Sequence, residues 1–196
     1  MNARVFTLLV LLLAALAAGC VQNGEPRGPV ENRTATGTPD PDVPTMELTS
    51  DAFGNGSLIP PRYTCDGEDV SPAISWSGVP REAVGLALTV QDPDAPGGDF
   101  THWIVYNISP GQRGLDAALP NLHELPGGAR QGTNSFGTVG YSGPCPPAGT
   151  AHRYVFSLYA LDTDLRISGP IDPAALEQEI EGHIIAEGVL IGMYRR

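Results

Sequence analysis

The chain has 196 residues, of which 41% are hydrophobic and 17% charged, and this length and composition are typical of one globular domain. Its formal net charge is −11, and all 11 basic residues are arginines. Because a negative surface repels a phosphate backbone, this balance argues against nucleic-acid binding. The 24 glycines and 19 prolines indicate many turns, which favours an all-β fold over a helical bundle.

The first 20 residues have the profile of a secretory leader. Arg4 precedes an apolar run from Val5 to Ala18, and small residues then lead to Cys20. The run is about 14 residues long, whereas a membrane-spanning helix needs ~20, although a short transmembrane anchor stays open as an alternative. The sequence LAAGC that ends at Cys20 resembles a lipobox. We therefore expect residues 1–20 to be a lipoprotein signal peptide and Cys20 to be lipidated.

Residues 21–44 carry Gly, Pro, Thr, Asn, Asp and Glu with almost no bulky apolar side chain. Such a segment cannot form a core, which predicts a disordered tether. A flexible tether of this length spans ~25–30 Å, enough to hold a domain clear of a membrane. The predicted location is the cell surface or a periplasm-equivalent space, with the protein attached to the membrane by its lipid.

Three runs of β-branched, aromatic and aliphatic residues predict strands in the remaining chain. They are Val84–Gln91, Trp103–Ile108 and Arg153–Leu161. Their near-continuous hydrophobicity predicts strands that are covered on both faces, or central strands of a sandwich. Two long loops, at residues 92–101 and 131–152, adjoin these strands and are the expected place for a site.

One helix is predicted near the C-terminus. Asp172 can cap it and Pro173 suits its first position. An apolar stripe at i, i+4 and i+8 continues it through Leu176, Ile180 and Ile184. Gly188 is the predicted end, followed by a short strand at 189–194. His183 lies beside the stripe, where a partly buried structural histidine is the favoured interpretation.

Two long segments resemble the signature motifs of the phosphatidylethanolamine-binding protein (PEBP) family. The first reads LTVQDPDAP from Leu88 to Pro96 and continues as THW at 101–103. The second reads GYSGPCPPAGTAHRY from Gly140 to Tyr154. Together with shorter matches, the resemblance covers nearly all of residues 45–196, the predicted domain. The GPCPP form looks like the prokaryotic Raf-kinase-inhibitor-like branch of the family.

The resemblance implies an antiparallel β-sandwich with one C-terminal helix, long functional loops and a pocket for phosphate-like anions. By position, the residues that match the pocket residues of the family are Asp92, Pro93, Asp94, His102, Pro146, Pro147, His152 and Tyr154.

The chemistry of these residue types agrees with that implication. Two imidazoles at one cavity can each donate an N–H to an anionic oxygen, and they hold an anion better when protonated. Asp92 or Asp94 could fix a histidine tautomer by accepting from the other ring nitrogen. We therefore expect His102 and His152, which are 50 positions apart, to face one cavity with both aspartates and the Pro146-Pro147 turn on its rim.

Binding is favoured over catalysis. The histidines and aspartates could in principle ligate a metal, but the sequence has no HExxH motif or closely spaced histidine pair. Ser142 lacks the Gly-x-Ser-x-Gly context of a nucleophile elbow. The prediction is a non-enzymatic protein with no metal and no cofactor.

The leading hypothesis is a binding module for phosphate, a phosphomonoester or a lipid headgroup. A protease inhibitor or regulator that docks a partner protein is the alternative, and a hydrolase or isomerase is less favoured. Members of the resembled family are often dimers, so a homodimer also stays open.

The pairing state of Cys65 and Cys145 is left open by the sequence. Export would place both in an oxidising compartment, where they are the cysteines that remain once Cys20 is modified. However, the cysteine of the GPCPP loop matches the resembled family even where its members are cytosolic. A disulfide and two free thiols are therefore both compatible with the sequence.

Overall fold

The computed structural model describes residues 41–196, so the predicted leader, Cys20 and most of the predicted tether lie outside the described residues. The elements of the described chain are β1 (Glu47–Thr49), β2 (Ser57–Leu58), β3 (Ile74–Ser77), β4 (Gly85–Asp92), β5 (Phe100–Ile108), β6 (Gly114–Leu115), β7 (Arg130–Gln131), β8 (His152–Leu161), α1 (Pro173–Ile180) and β9 (Ile184–Tyr194).

The strands form two sheets, which confirms the predicted β-sandwich. One sheet has the order β1-β3-β6, and the other has the order β2-β9-β8-β4-β5-β7. Neighbouring strands are antiparallel, except that the two-residue β2 runs parallel to β9. The three strands predicted from the sequence correspond to β4, β5 and β8, and all three lie in the interior of the larger sheet.

The main core fills the space between the two sheets. Leu88, Trp103 and Phe156 from the larger sheet pack in one cluster with Leu48 and Trp76 from the smaller one. Burying a side chain of this size stabilises the fold by roughly 1.5–3 kcal/mol. The sandwich is therefore held mainly by alternate residues of the central strands.

A second apolar cluster covers the outer face of the larger sheet. Helix α1 contributes Leu176 and Ile180, which pack with Ala87, Tyr106 and Tyr159 of the sheet. All eight residues of β4 are buried as a result. The near-continuous hydrophobic runs therefore reflect strands that are covered on both faces, as predicted.

Helix α1 is shorter than the sequence pattern indicated. Asp172 is its N-cap and accepts a hydrogen bond from Ala175 N at 2.9 Å, and Pro173 is the first helical residue, as predicted. The predicted end at Gly188 is wrong, because the helix stops at Ile180 and Gly182 takes a left-handed φ of 78°, a common conformation just after a helix. Ile184 is the first residue of β9 and packs against the second cluster. It therefore matches the apolar pattern of the helix although it lies outside the helix.

Strand β9 is long, whereas the sequence predicted only a short strand at 189–194. Gly188 lies within it, and a Cβ there would come within 2.9 Å of the Met46 carbonyl oxygen. The segment at Pro44 and Met46 runs alongside β9 at this point. Met46 N donates to the Glu187 carbonyl, and Glu187 N donates to the Pro44 carbonyl. Gly188 therefore permits a close backbone approach rather than ending a helix.

His183 has a structural contact and is more exposed than expected. Its Nδ1 lies 2.8 Å from Asp162 Oδ1, and 47% of its side chain remains exposed. Within residues 41–196, no helix combines the length and apolar character needed to cross a bilayer.

Cys65 and Cys145 are joined by a disulfide, with their Cα atoms 5.4 Å apart. The bond links the segment after the 3-10 turn Pro61–Tyr63 to the loop before β8. Both cysteines are exposed at the surface. Of the two states that the sequence left open, the structure has the bonded one.

We predict that this disulfide stabilises the domain by constraining the unfolded chain. The two cysteines are 80 positions apart, a loop for which the chain-entropy model gives about 4.5 kcal/mol. The double variant Cys65→Ser/Cys145→Ser should lose up to that free energy of unfolding in urea denaturation, and reductant should have the same effect on the protein with both cysteines. In a Cys20→Ser background, two reactive thiols in unfolded, unreduced protein would contradict the pairing.

Candidate functional site

His102 lies near the start of β5, and its imidazole is almost fully buried. Its Nδ1 donates a hydrogen bond to the Ser142 carbonyl oxygen at 2.7 Å, because a carbonyl can only accept. This contact leaves Nε2 as the ring nitrogen that is open to a ligand. Burial lowers the pKa of His102 and outweighs the Ser142 carbonyl and the Asp92 charge, which both raise it. The ring is therefore neutral at pH 7.

His152 is the first residue of β8 and is paired with the last residue of β4. Its Nδ1 lies 2.8 Å from Asp92 Oδ2, and the side chains are only 10% and 5% exposed respectively. The other carboxylate oxygen of Asp92 accepts from Asp94 N at 2.9 Å. Because Asp92 occupies Nδ1, it fixes the tautomer of a neutral His152 ring and leaves Nε2 as the second nitrogen. Asp92 thus performs the role that the sequence assigned to either aspartate.

Tyr154 supplies the third polar group. It follows His152 by two positions on β8, so both side chains lie on the same face of the sheet. Its hydroxyl is buried and has no hydrogen-bond partner of good geometry within residues 41–196, although the Asp92 carboxylate lies close enough to interact with it. Burial first, and then the nearby Asp92 carboxylate, raise the pKa of this hydroxyl. Because a buried hydroxyl without a good partner is costly, this group is chemically suited to donate a hydrogen bond into the cavity.

These groups surround one cavity of about 210 Å³. The cavity is lined by Asp92, Ala95, Pro96, Phe100, His102, Phe136, Cys145, Pro146, Pro147, His152 and Tyr154. Six of the eight residues picked from the sequence are in that set. The cavity thus combines a polar group of two imidazoles, a carboxylate and a phenol with a largely apolar wall.

Pro93 and Asp94 are the two predicted pocket residues that do not line the cavity. Asp94 instead accepts from Arg153 through the backbone N at 2.9 Å, Nε at 2.9 Å and a terminal guanidinium nitrogen at 2.7 Å. These hydrogen bonds lower the pKa of Asp94. Arg153 lies between His152 and Tyr154 on β8, so its side chain points to the opposite face. Asp94 therefore anchors the loop between β4 and β5 from outside the cavity.

The loop that carries Pro146 and Pro147 is fastened to a distant segment. Cys145 is disulfide-bonded to Cys65, Cys65 N donates to the Pro144 carbonyl at 3.1 Å, and Gly143 N donates to Asp69 Oδ1 at 2.6 Å. A Cβ at Gly143 would come within 2.4 Å of a backbone oxygen, so only glycine fits this close approach. The proline wall is thus held by covalent and hydrogen-bond links.

Sequence reasoning missed two aromatic residues of the site. Phe100 begins β5 and Phe136 lies in the loop between β7 and β8. A signal for Phe136 was present, since it is a large apolar residue within a polar loop already expected to be functional. Across residues 41–196, no three His, Cys, Asp or Glu side chains are grouped as metal ligands would be.

The comparisons with known proteins agree on one family. The family model described as phosphatidylethanolamine-binding protein matches residues 49–195. A UPF0098 protein of Methanothermobacter thermautotrophicus is 50% identical over 77% of this chain and 99% of its own length. A UPF0098 protein of Aquifex aeolicus is 45% identical over 77% of this chain and 89% of its own length.

Two crystal structures resemble the fold. A homologue of phosphatidylethanolamine-binding protein from Chlamydia trachomatis has a TM-score of 0.71 and 43% identity, covering 78% of this chain and 98% of its own. YbcL of Escherichia coli, described as a new member of the mammalian PEBP family, has a TM-score of 0.73 and 32% identity over 77% of this chain and 98% of its own. With the sandwich, both sequence motifs and the family model in agreement, the chain belongs to the phosphatidylethanolamine-binding protein family.

Proposed function

We propose that the protein binds a small oxyanion, such as phosphate or a phosphomonoester, in the cavity between β4, β5 and β8. The observation that carries the proposal is the meeting of His102 and His152 at one cavity with each Nδ1 already occupied by a protein acceptor. The Nε2 nitrogens are then the groups left for a ligand. The buried hydroxyl of Tyr154 adds a neutral donor at the same place.

Protonation decides how well these imidazoles hold an anion. A neutral ring whose Nδ1–H is engaged presents a lone pair at Nε2, which repels an anionic oxygen. A protonated ring presents an N–H there and adds a positive charge, which makes the hydrogen bond stronger. Asp92 provides a counter-charge for a protonated His152 ring through the 2.8 Å contact. The site is therefore a receptor whose donor strength increases on protonation.

We further propose that the domain works outside the cytoplasm on a lipid anchor. The leader-like segment that ends at Cys20 is the first support for this proposal. The disulfide between Cys65 and Cys145 is the second, because structural disulfides persist in oxidising compartments. A binding domain on a tether at a surface would sample ligands in the surrounding medium.

Removal of either imidazole should weaken oxyanion binding. When the ring is protonated, its charge-assisted hydrogen bond contributes roughly 1.5–3 kcal/mol. At acidic pH the affinity for phosphate should therefore fall about ten- to hundredfold in His102→Ala and in His152→Ala. Isothermal titration calorimetry measures the affinities. His183→Ala is the matched control, because that histidine pairs with Asp162 away from the cavity. Equal phosphate affinities for the wild type and both cavity variants would refute the site.

Binding should strengthen as the pH falls from about 8 to about 6. Because the pKa of His102 lies below its ordinary 6.5, its share of the increase comes mostly below that pH, with at most about a tenfold gain per pH unit for one proton taken up. Methyl sulfate is a suitable probe, because its single charge does not change in this range. In His102→Ala the rise below pH 6.5 should flatten, and an unchanged pH profile would contradict the role of His102.

The lowered pKa of His102 also determines how the stability of the unliganded protein changes with pH. A histidine whose pKa is lowered in the folded state binds protons more readily when unfolded. His102 therefore contributes stability that is present above pH 6.5 and is lost as the pH falls below it. A fall in pH therefore lowers the free energy of unfolding through His102, whereas a bound ligand raises it.

Lipidation of Cys20 predicts how the full-length protein behaves. The mature protein should partition into detergent, and Cys20→Ser should release it or stall its processing. Stable attachment requires two lipid chains, because a single chain binds membranes only marginally. Detergent-phase separation followed by immunoblotting gives the result. If Cys20→Ser partitions as strongly as the wild type, a transmembrane anchor is the better explanation.

A further inference from the structure

The apolar wall of the cavity indicates what kind of oxyanion it accepts. Resting on the proposed function, we infer that the ligand carries an apolar, ring-sized group on its oxyanion and that Phe136 is the residue that selects this group. Phe136 lines the cavity, is half exposed, and belongs to neither sequence motif.

The cavity is larger than a bare oxyanion requires. Its volume is about 210 Å³, whereas an apolar cavity of about 150 Å³ is known to hold a benzene ring. The space thus accommodates a ring together with a small charged group. It lies below the range of roughly 300–1,000 Å³ that is typical for drug-sized ligands, which limits the apolar part to about one ring.

The polar and apolar groups of the lining come from different kinds of structural element. The polar groups come from the ends of the central strands, at Asp92, His102, His152 and Tyr154. Most of the apolar groups come from the loops, at Ala95, Pro96, Phe136, Pro146 and Pro147. A ligand that satisfied only the polar groups would leave this wall uncovered. An oxyanion with an apolar substituent is complementary to both.

Phe136 extends an aromatic cluster to the surface. Its ring centroid lies 4.7 Å from that of Phe100 and 5.5 Å from that of His102, with steep interplanar angles in both pairs. Half of the residue's surface nevertheless remains exposed. A ligand ring against Phe136 would therefore remove further apolar area from water and gain an aromatic contact.

The loop around Phe136 is organised by one buried side chain, Asn134. Its Oδ1 accepts from Phe136 N at 3.0 Å, and also from the backbone and hydroxyl of Thr138 at 3.2 and 3.1 Å. Its Nδ2 donates to the Gly140 carbonyl and the Ser142 hydroxyl, both at 3.0 Å. The carbonyl of Ser142 in turn accepts from His102. One network thus fixes the aromatic wall and the anion-binding imidazole relative to each other, which pre-organises the cavity.

The test compares two phosphomonoesters that differ only in the apolar group. Calorimetric affinities of phenyl phosphate and methyl phosphate are measured at one pH for the wild type, Phe136→Ala and Phe136→Leu. We expect the wild type to bind phenyl phosphate about tenfold more tightly, the gain that corresponds to 1.4 kcal/mol. Phe136→Ala should abolish most of this ratio, because it should weaken the binding of phenyl phosphate far more than that of methyl phosphate. Phe136→Leu, which keeps an apolar surface, should retain part of the ratio.

Leu122→Ala is the matched control. Leu122 is also a large exposed apolar residue, at 56%, but it does not line the cavity. This variant should keep the wild-type ratio, and thermal melting of all variants confirms that they are folded.

The outcomes separate this inference from the proposed function. Equal affinity of the wild type for the two esters overturns the inference and leaves the anion site in place. An equal loss for both esters in Phe136→Ala also overturns it, because Phe136 would then act through His102 alone. If the wild type binds neither ester, the proposed function fails as well.

Discussion

The antiparallel pairing of β4 with both β5 and β8 is the constraint on which the site depends. Gln91 lies opposite Val155 of β8 and opposite Thr101 of β5. Because antiparallel neighbours run in opposite directions, the C-terminal end of β4 lies between the N-terminal ends of the other two strands. Asp92, His102 and His152 therefore meet at one edge of the sheet although they come from three separate parts of the chain. Their meeting is a property of the sheet's topology.

The same pairing explains why the polar groups are held precisely. A shift of one residue in register would turn every side chain of a strand to the other face, and burial on both faces of β4 makes such a shift costly. Sites built on strands are more precise than sites built on loops. The imidazoles and the carboxylate lie on strand ends, whereas most of the apolar wall lies on loops. The side chains whose hydrogen bonds need exact geometry therefore lie on the most rigid elements of the structure.

The loops are fixed by contacts of three different kinds, two of them long-range and one local. Arg153 holds the loop between β4 and β5 through Asp94, the disulfide holds the proline loop through Cys145, and Asn134 organises the loop that carries Phe136. These anchors replace the regular hydrogen bonds that the loops lack. Asn134 and Cys145 lie in the same connection between β7 and β8 but hold different segments of it. Loss of one anchor should therefore act mainly on the segment that it holds.

Local patterns predicted the central strands, the helix cap and most of the site. The hydrophobic runs of β4, β5 and β8 are long enough to identify strands without tertiary information, and Asp172-Pro173 is a local start signal for a helix. The motifs predicted six cavity residues, among them His102 and His152. These features are determined by neighbours in sequence or by a resemblance that spans the domain.

Long-range contacts determined what the sequence could not predict. Gly188 looked like a helix end because its close approach to Met46 is invisible in the local pattern. Asp94 was assigned to the pocket because it matches the first motif. Its actual partner, Arg153, is 59 positions away and cannot be recognised from the local pattern. Phe136 lay outside both motifs, and only the fold brings it against His102. In each case, the deciding partner lies far along the chain.

Charge gives the last constraint on the ligand. The chain carries a formal net charge of −11, and none of the residues that line the cavity is an arginine. At pH 7 the lining holds the Asp92 carboxylate beside a neutral His102 ring, so there is little positive charge to balance a dianion. An anion with one negative charge and an apolar substituent meets less repulsion from the acidic protein than a dianion does. It also draws part of its affinity from the aromatic wall, which screening by salt does not weaken. For the oxyanion that we propose as the ligand, the acidic surface and the apolar cavity therefore both favour a singly charged form, such as a monoprotonated phosphomonoester, that has an apolar substituent.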